Sequence, residues 1–176
     1  MSWLYGWVLG IASSVIGAYV VNYIEAMRLA KAISIEGTWA ELIPGSLEPS
    51  PHQYSLGHIY FDKRRKIYAC DGTNYLNDGA KFCHWSTITS HIDTGQRKFF
   101  YTFATQMDRE PGVTYYGFGV IDLESRDGKL VPAAGYYVSA NVDGKPMSHT
   151  IFSLPLQYSR KTPGSQVIHA IQNASK

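Results

Sequence analysis

The fold is decided by residues 81–123, which read KFCHWSTITSHIDTGQRKFFYTFATQMDREPGVTYYGFGVIDL. This stretch holds three runs rich in Tyr, Phe, Thr, Val and Ile, separated only by short turn-forming clusters around Thr94-Gly95 and Pro111-Gly112. Such runs are typical of β-strands, and connections this short join antiparallel neighbours, because parallel strands need long crossovers. The three predicted strands are Lys81–Ile92, Lys98–Gln106 and Val113–Leu123.

The same pattern continues on both sides of this stretch. Asp-Gly pairs at residues 78–79, 127–128 and 143–144 mark further turns, since Asp-Gly between apolar runs is a strong hairpin signal. Five more strands are predicted at Ile35–Ile43, Tyr54–Asp62, Lys66–Asn74, Val131–Ser139 and His149–Leu156. Eight antiparallel strands in a meander close best as an up-and-down β-barrel, which removes their open edges. The sequence therefore predicts an all-β barrel over residues 35–158, with a β-sandwich as the alternative.

The N-terminal part of the chain is apolar. Residues 3–24, WLYGWVLGIASSVIGAYVVNYI, carry no charge. As a helix they are about 33 Å long, enough to cross a hydrocarbon core of about 30 Å. A cleaved signal peptide is the alternative, but it would begin with a basic region, and no Lys or Arg precedes this stretch. We predict a transmembrane helix over residues 1–24, a juxtamembrane stalk over 25–34 and a flexible tail over 159–176.

Charge predicts the orientation of this single-pass topology. Arg28 and Lys31 follow the apolar stretch, and the positive-inside rule then places the C-terminal domain in the cytoplasm. The chain has only two cysteines, Cys70 and Cys83, which a reducing compartment would leave as free thiols. The charged fraction of 17% lies below the roughly 25% of soluble domains, partly because of the uncharged stretch.

Small residues recur along one stripe of the predicted transmembrane helix. Close approach of two helix backbones requires small side chains, as in the Gly-xxx-Gly pattern. The stripe predicts self-association of the chain, although small residues are also common in any membrane helix. Its members, four residues apart, are Gly6, Gly10, Ser14 and Ala18.

Several classes of function are disfavoured by the sequence. A net charge of +2 is too small for a protein that coats DNA or RNA. The motifs of zinc peptidases, P-loop enzymes and serine hydrolases are absent, so we predict no enzyme, no catalytic residues and no cofactor. His84 and His91 are seven residues apart on one strand and thus on opposite faces, so no metal site is predicted there.

The predicted strands carry aromatic residues on both faces, which favours a barrel interior that mixes Tyr, His and Ser around a polar ligand. Tyr is also simply a good strand residue. Gly117, Gly119 and Gly135 lie within strands, where glycine marks bulges, barrel corners or close approach by a ligand. The basic hairpin tip at residues 63–66 has three possible roles: contact with anionic lipid, contact with phosphate, or a solvated turn.

The combination of one N-terminal anchor, a short stalk and an eight-stranded barrel resembles bacterial anti-phage membrane effectors. These are the CBASS effectors called CD-NTase-associated and the related effectors of the Panoptes system. Usual members have two transmembrane helices, whereas one is visible here. The local patterns that carry the resemblance are Gly37-Thr38-Trp39, Asp71-Gly72-Thr73-Asn74-Tyr75, His84-Trp85-Ser86, Tyr116-Gly117-Phe118-Gly119 and Gly135-Tyr136-Tyr137.

The resemblance implies a receptor in the bacterial inner membrane. Its barrel would bind a cyclic oligonucleotide and control transmembrane-helix assembly and membrane disruption. Aromatic rings would stack on the bases and cationic groups would pair with the phosphates. The alternatives are a tethered lipocalin-like barrel that binds a lipid or hydrophobic small molecule, and an interaction module that positions a partner. Candidate ligand-binding residues are Tyr60, Trp85, Tyr101, Tyr116, Tyr136 and Tyr137 for stacking, and Arg65, Lys98, Arg109 and Arg126 for phosphate.

Overall fold

A computed structural model describes residues 13–21, 23–24, 33, 35–43, 54–108, 111–140, 146–153 and 163–174. Eight strands form one closed antiparallel barrel in which each strand pairs with its neighbours in sequence. The prediction of an eight-stranded up-and-down barrel is confirmed, and the alternative of a sandwich is wrong. The strands are β1 (Gly37–Leu42), β2 (Tyr54–Asp62), β3 (Ile67–Tyr75), β4 (Lys81–Asp93), β5 (Lys98–Met107), β6 (Thr114–Arg126), β7 (Lys129–Ser139) and β8 (Pro146–Ser153).

Closure of the barrel joins the first strand to the last. β1 pairs with β8 from Trp39 opposite Ser153 to Leu42 opposite Thr150. The predicted start of β8 at His149 is wrong by three residues, because pairing with β7 already begins at Pro146. A proline is tolerated there because it is the first residue of the strand.

Large rings on β5 lie against glycines at the paired positions of the neighbouring strand, β6. A side chain on Gly117 would lie 2.4 Å from the ring of Phe103, and one on Gly119 would lie 2.4 Å from the ring of Tyr101. On the inside of the barrel, the space beside these two glycines is therefore filled by rings of the chain itself. The interior cluster contains Ile33, Ile35, Trp39, Ile43, Ile59, Cys70, Trp85, Phe99, Tyr101, Phe103, Ile121, Leu123, Tyr137, Met147 and Ile151.

Residues just before β1 close one end of the barrel. Ile33 and Ile35 are buried in the interior cluster, and Ile33 forms a parallel bridge with Leu130. The indole N–H of Trp39 donates to the carbonyl of Ile35 at 2.6 Å, which holds this segment against the interior. Gly37 pairs with Ile59 near the end of β2, so the chain enters at the end where the β2–β3, β4–β5 and β6–β7 hairpins lie. We call this the entry end.

Residues 13–21 and 23–24 are helical, and we call them the N-terminal helix. Its large apolar side chains are exposed, with Val15 at 64% and Tyr19 at 73%. Within the described residues, no helix is both long and apolar enough to cross a membrane. The predicted span at 1–24 and stalk at 25–34 lie largely outside the described residues, as do Gly6 and Gly10, so these predictions stay untested.

A helix over Gly164–Ala174 packs on the outer wall of the barrel, and we call it the C-terminal helix. Val167, Ile168 and Ile171 are buried against the outward-facing side chains of β1, β2 and β3. The prediction of a flexible tail is wrong for this part of residues 159–176, because apolar residues one and four positions apart give the helix a buried face. The strand residues under it include Ala40, Leu56 and Tyr75.

Candidate functional site

A small cavity lies within the barrel, surrounded by aromatic and polar side chains. Its volume is about 30 Å³. A single water needs roughly 10–15 Å³ measured in this way, so the cavity holds one or two waters and nothing larger. The side chains around it come from β1, β3, β4, β5 and β7 and belong to Glu41, Asn74, Cys83, Trp85, Tyr101, Phe103, Thr105, Tyr137 and Ser139.

A buried carboxylate and a buried imidazole face each other beside this cavity. Glu41 on β1 and His149 on β8 are 5% and 3% exposed, and Oε2 of Glu41 lies 3.2 Å from Nδ1 of His149. The alternation of β1 turns Glu41 inward together with Trp39 and Ile43. The contact ties the first strand to the last through side chains, in addition to the backbone pairing.

Further polar side chains lie in or beside the cavity. The indole N–H of Trp85 donates to Oδ1 of Asn74 at 2.9 Å, which fixes the orientation of both side chains. The Ser139 hydroxyl and Nε2 of His149 are buried and have no hydrogen-bond partner among the described residues. Buried groups of this kind are commonly satisfied by ordered water, which the size of the cavity permits.

Burial sets the protonation state of the acidic side chains in this interior. It raises the pKa of the Cys83 thiol to about 12. It also raises the pKa of the Tyr101 hydroxyl well above its usual value, and the negative charge of Glu41 adds to this shift. Burial, and after it the charge of Glu41, also raise the pKa values of Tyr137 and Cys70. These groups therefore stay protonated at neutral pH, and the two thiols lack the thiolate form that a nucleophile needs.

The described ranges contain no group of three His, Cys, Asp or Glu side chains that could hold a metal ion. Both cysteines are free and buried. The cavity is thus a small polar space in the barrel interior, and its volume is far below the roughly 300–1,000 Å³ of a site for an organic ligand.

A second, larger depression lies on the outer wall. It is an open groove of about 420 Å³ across β4–β7, and we call it the outer groove. Tyr116 and Phe118 present their rings there and are 63% and 40% exposed, while Ile88 is 47% exposed. The groove shares Phe103 and Ser139 with the interior cavity, so only the barrel wall separates the two spaces. Its lining comprises Ile88, Thr102, Phe103, Tyr116, Gly117, Phe118, Val138, Ser139 and Ala140.

One predicted ligand-binding residue, Tyr116, lines the outer groove, and two others, Tyr136 and Arg65, each contact a residue of its lining. Tyr116 lines it, and the ring of Tyr136 contacts that of Phe118 edge-on with ring centroids 6.0 Å apart. The guanidinium of Arg65 donates to the carbonyl oxygen of Ile88 at 3.0 Å and to that of Thr87 at 2.9 Å. Tyr116, Tyr136 and Arg65 therefore lie in or next to the groove lining, on β6, β7 and the β2–β3 hairpin.

The other predicted residues lie elsewhere. Tyr60 is on the outer wall of β2, where its ring stacks on that of His58. Lys98 forms an ion pair with Asp122 at 2.5 Å, and Arg126 forms one with Glu124. Arg109 lies outside the described residues. The remaining three residues are only 4–9% exposed and belong to the interior core: Trp85, Tyr101 and Tyr137.

Several residues of the outer groove and of the barrel interior were not among the predicted ligand-binding residues, and Phe118, Ile88, Glu41 and His149 are examples. Phe118 shares a strand face with Tyr116 by alternation, so the signal for it was present. Glu41 is a lone acidic residue between Trp39 and Ile43 on one strand face, which also signals a special environment. Ile88 and His149 carried no such signal. Ile88 lies at an irregularity between Thr87 and Thr89, where the strand's alternation is interrupted.

The interior cavity has room for water only, whereas the outer groove has the volume of an organic-ligand site. Comparisons with known protein families, curated proteins and solved structures found no match to the chain.

Proposed function

We propose that this chain is a bacterial anti-phage effector anchored by one transmembrane helix in the inner membrane. In this proposal its cytoplasmic barrel binds a cyclic oligonucleotide and controls assembly of the transmembrane helices and membrane disruption. The observation that carries the proposal is a closed barrel preceded by a helix whose apolar side chains, Val15, Ile16 and Tyr19 among them, are more than 60% exposed. A lipid environment would cover such a helix.

Size decides where the nucleotide would bind. The interior cavity of about 30 Å³ admits water only, whereas the outer groove of about 420 Å³ falls within the range of organic ligand sites. We therefore place the ligand on the outer groove, and the buried residues Trp85, Tyr101 and Tyr137 support the wall without touching the ligand.

The outer groove offers both kinds of contact that a cyclic oligonucleotide needs. The exposed rings of Tyr116 and Phe118 would stack on bases, an interaction worth roughly 1–3 kcal/mol per base. Arg65 stands beside Ile88 at the border of the groove, with its side chain 40% exposed and Asp62 holding its Nε at 2.7 Å. Such a fixed guanidinium retains N–H groups for a phosphate oxygen.

A second candidate is an interaction module that positions a protein partner at the membrane. It is favoured by the filled interior, because a barrel without a large cavity has only its outer surface for recognition. The same volume disfavours a lipocalin-like barrel, since a lipid tail needs an interior space of several hundred Å³. Neither candidate involves a catalytic step, a metal or a cofactor.

Titration of the purified full-length chain with a panel of cyclic di- and trinucleotides tests the proposal. We expect at least one member to bind, and Tyr116→Ala to weaken its binding about tenfold, because the stacking platform is lost. Tyr116→Phe is the matched control and should keep the affinity. If no member binds at high micromolar concentration, nucleotide sensing is ruled out. A partner that binds the chain and loses affinity in Tyr116→Ala would then favour the interaction module.

A further inference from the structure

Basic residues gather on the three hairpins of the entry end. The hairpins and their flanks cover residues 62–66, 93–98 and 122–129, all of them described. They carry eight basic residues and five acidic residues. The basic residues are Lys63, Arg64, Arg65, Lys66, Arg97, Lys98, Arg126 and Lys129.

Ion pairs and hydrogen bonds engage most of the acidic groups at this end. Asp62, Asp122 and Glu124 pair with Arg65, Lys98 and Arg126. A carboxylate oxygen of Asp93 accepts the backbone N–H of Gln96, and Glu36, a sixth acidic group nearby, accepts that of Phe61. Five basic side chains form no ion pair in the part of the chain that the structure describes, and all are exposed: Lys63, Arg64, Lys66, Arg97 and Lys129.

The opposite end of the barrel has a different charge. With the strand residues that flank them, its described hairpin residues, 75–81, 107–108 and 111–114, contain two acidic residues, Asp78 and Asp108, and one basic residue, Lys81. The positive charge is therefore concentrated at one end, and it is the end at which Ile33 and Ile35 enter the barrel.

Chain length keeps this end close to the predicted membrane. Eight residues, 25–32, separate the end of the predicted anchor from Ile33. They span about 12 Å as a helix and at most about 29 Å when extended. The headgroup region adds about 5–7 Å beyond the hydrocarbon core, so the tips of all three hairpins can reach it.

We propose that the entry end is a docking surface for the anionic lipid headgroups of the membrane that holds the anchor. The inference rests on the membrane anchoring in the proposed function and is independent of nucleotide binding. Charge complementarity favours it, because Lys and Arg clusters next to a membrane anchor are attracted to anionic lipid over about one Debye length. Docking would hold the barrel axis at a steep angle to the membrane plane and leave the outer groove facing the cytoplasm.

The experiment uses the full-length chain in vesicles of phosphatidylcholine, alone or mixed with phosphatidylglycerol. A fluorophore is attached at Thr94→Cys in the β4–β5 turn, or at Ala80→Cys at the opposite end as the reference position. The buried native thiols stay unlabelled. A quencher on the lipid headgroups reports proximity. We expect quenching at residue 94 to rise about twofold or more with phosphatidylglycerol and to fall at high salt, with little change at residue 80.

A triple variant tests whether the basic residues of the β2–β3 hairpin act through their position and not only through the net charge of the chain. Lys63→Gln/Arg64→Gln/Lys66→Gln should abolish the lipid-dependent rise in quenching. The control Asn77→Asp/Gln106→Glu/Gln166→Glu makes the same change in net charge at exposed positions away from the entry end and should leave the rise intact. Equal quenching in both lipids, or a rise that persists in the basic-tip variant, overturns the inference. Failure of the chain to sediment with any vesicle overturns the proposed anchoring itself, which distinguishes the two.

Discussion

Trp85 lies across two glycines inside the barrel, and this contact shows what individual residues contribute. A side chain on Gly57 would approach the Trp85 ring to 3.3 Å. One on Gly72 would approach it to 2.5 Å and would also meet the carbonyl oxygen of Leu56 at 2.7 Å. The backbone oxygen cannot yield as a flexible side chain would, so Gly72 is a position where the interior depends on the absence of a side chain.

We predict that Gly72→Ala destabilises the protein by about 1–3 kcal/mol, the usual cost of overpacking a filled core. Urea unfolding followed by tryptophan fluorescence measures the change. Gly95→Ala is the matched control, because its added methyl group would meet only Oδ1 of Asp93 at 3.3 Å in an exposed turn. Equal stability of the two variants would contradict this explanation of the interior.

Residue patterns predicted the strands better than the candidate site. Alternation correctly separated Tyr101 from its neighbours on β5, but both faces of that strand are aromatic, so alternation could not say which face is inside. The answer depends on the opposing strand, where Gly119 leaves room for the ring. Arg65 lies beside the outer groove because its guanidinium reaches the carbonyl oxygen of Ile88 on β4, a contact between distant residues that no local pattern encodes.

The C-terminal helix shows how an element can be missed in a sequence. It has only 11 residues, with no acidic residue in its first turn and no basic residue in its last. Those charges are the usual signs of helix ends. Its stability comes from docking, because Val167 and Ile171 are fully buried on the barrel wall. The strands, by contrast, were predictable because glycine-containing turns bound each of them.

We predict that Ile171→Ala lowers the free energy of unfolding by about 2–4 kcal/mol, since it leaves a void between the C-terminal helix and the barrel wall. Thermal and urea denaturation measure the loss. Gln166→Ala changes an exposed position of the same helix and should have little effect. If both variants matched the parent chain, the helix would not be docked in solution.

At the scale of the whole molecule, the barrel keeps several weak acids away from water. Burial raises the pKa values of Cys70, Cys83, Tyr101 and Tyr137, and for Cys83 the shift is from 9.0 to about 12. The folded state therefore holds these protons more tightly than the unfolded state does. The free energy of unfolding therefore has its full value when the pH is below the pKa values of these groups in the unfolded state, and it falls as the pH rises above about 9.

We predict that the melting temperature is nearly constant from about pH 7 to about pH 8.5 and declines steadily above about pH 9. Circular dichroism melts across this range measure it. Cys83→Ala removes one of the buried acids and should make the decline shallower. A melting temperature that rose between about pH 9 and about pH 11 would contradict the assignment of these groups to a dry interior.

Closure between β1 and β8 also has a consequence for the order of events during synthesis. β1 leaves the ribosome more than a hundred residues before β8, and Ala40 and Phe152 become partners only at the end. Until then one side of β1 is an unpaired strand edge, a surface that invites pairing with other chains. The ribosome can therefore complete seven strands before the barrel is able to close. Only the synthesis of β8 ends the period in which the edge of β1 is open to pairing with other chains.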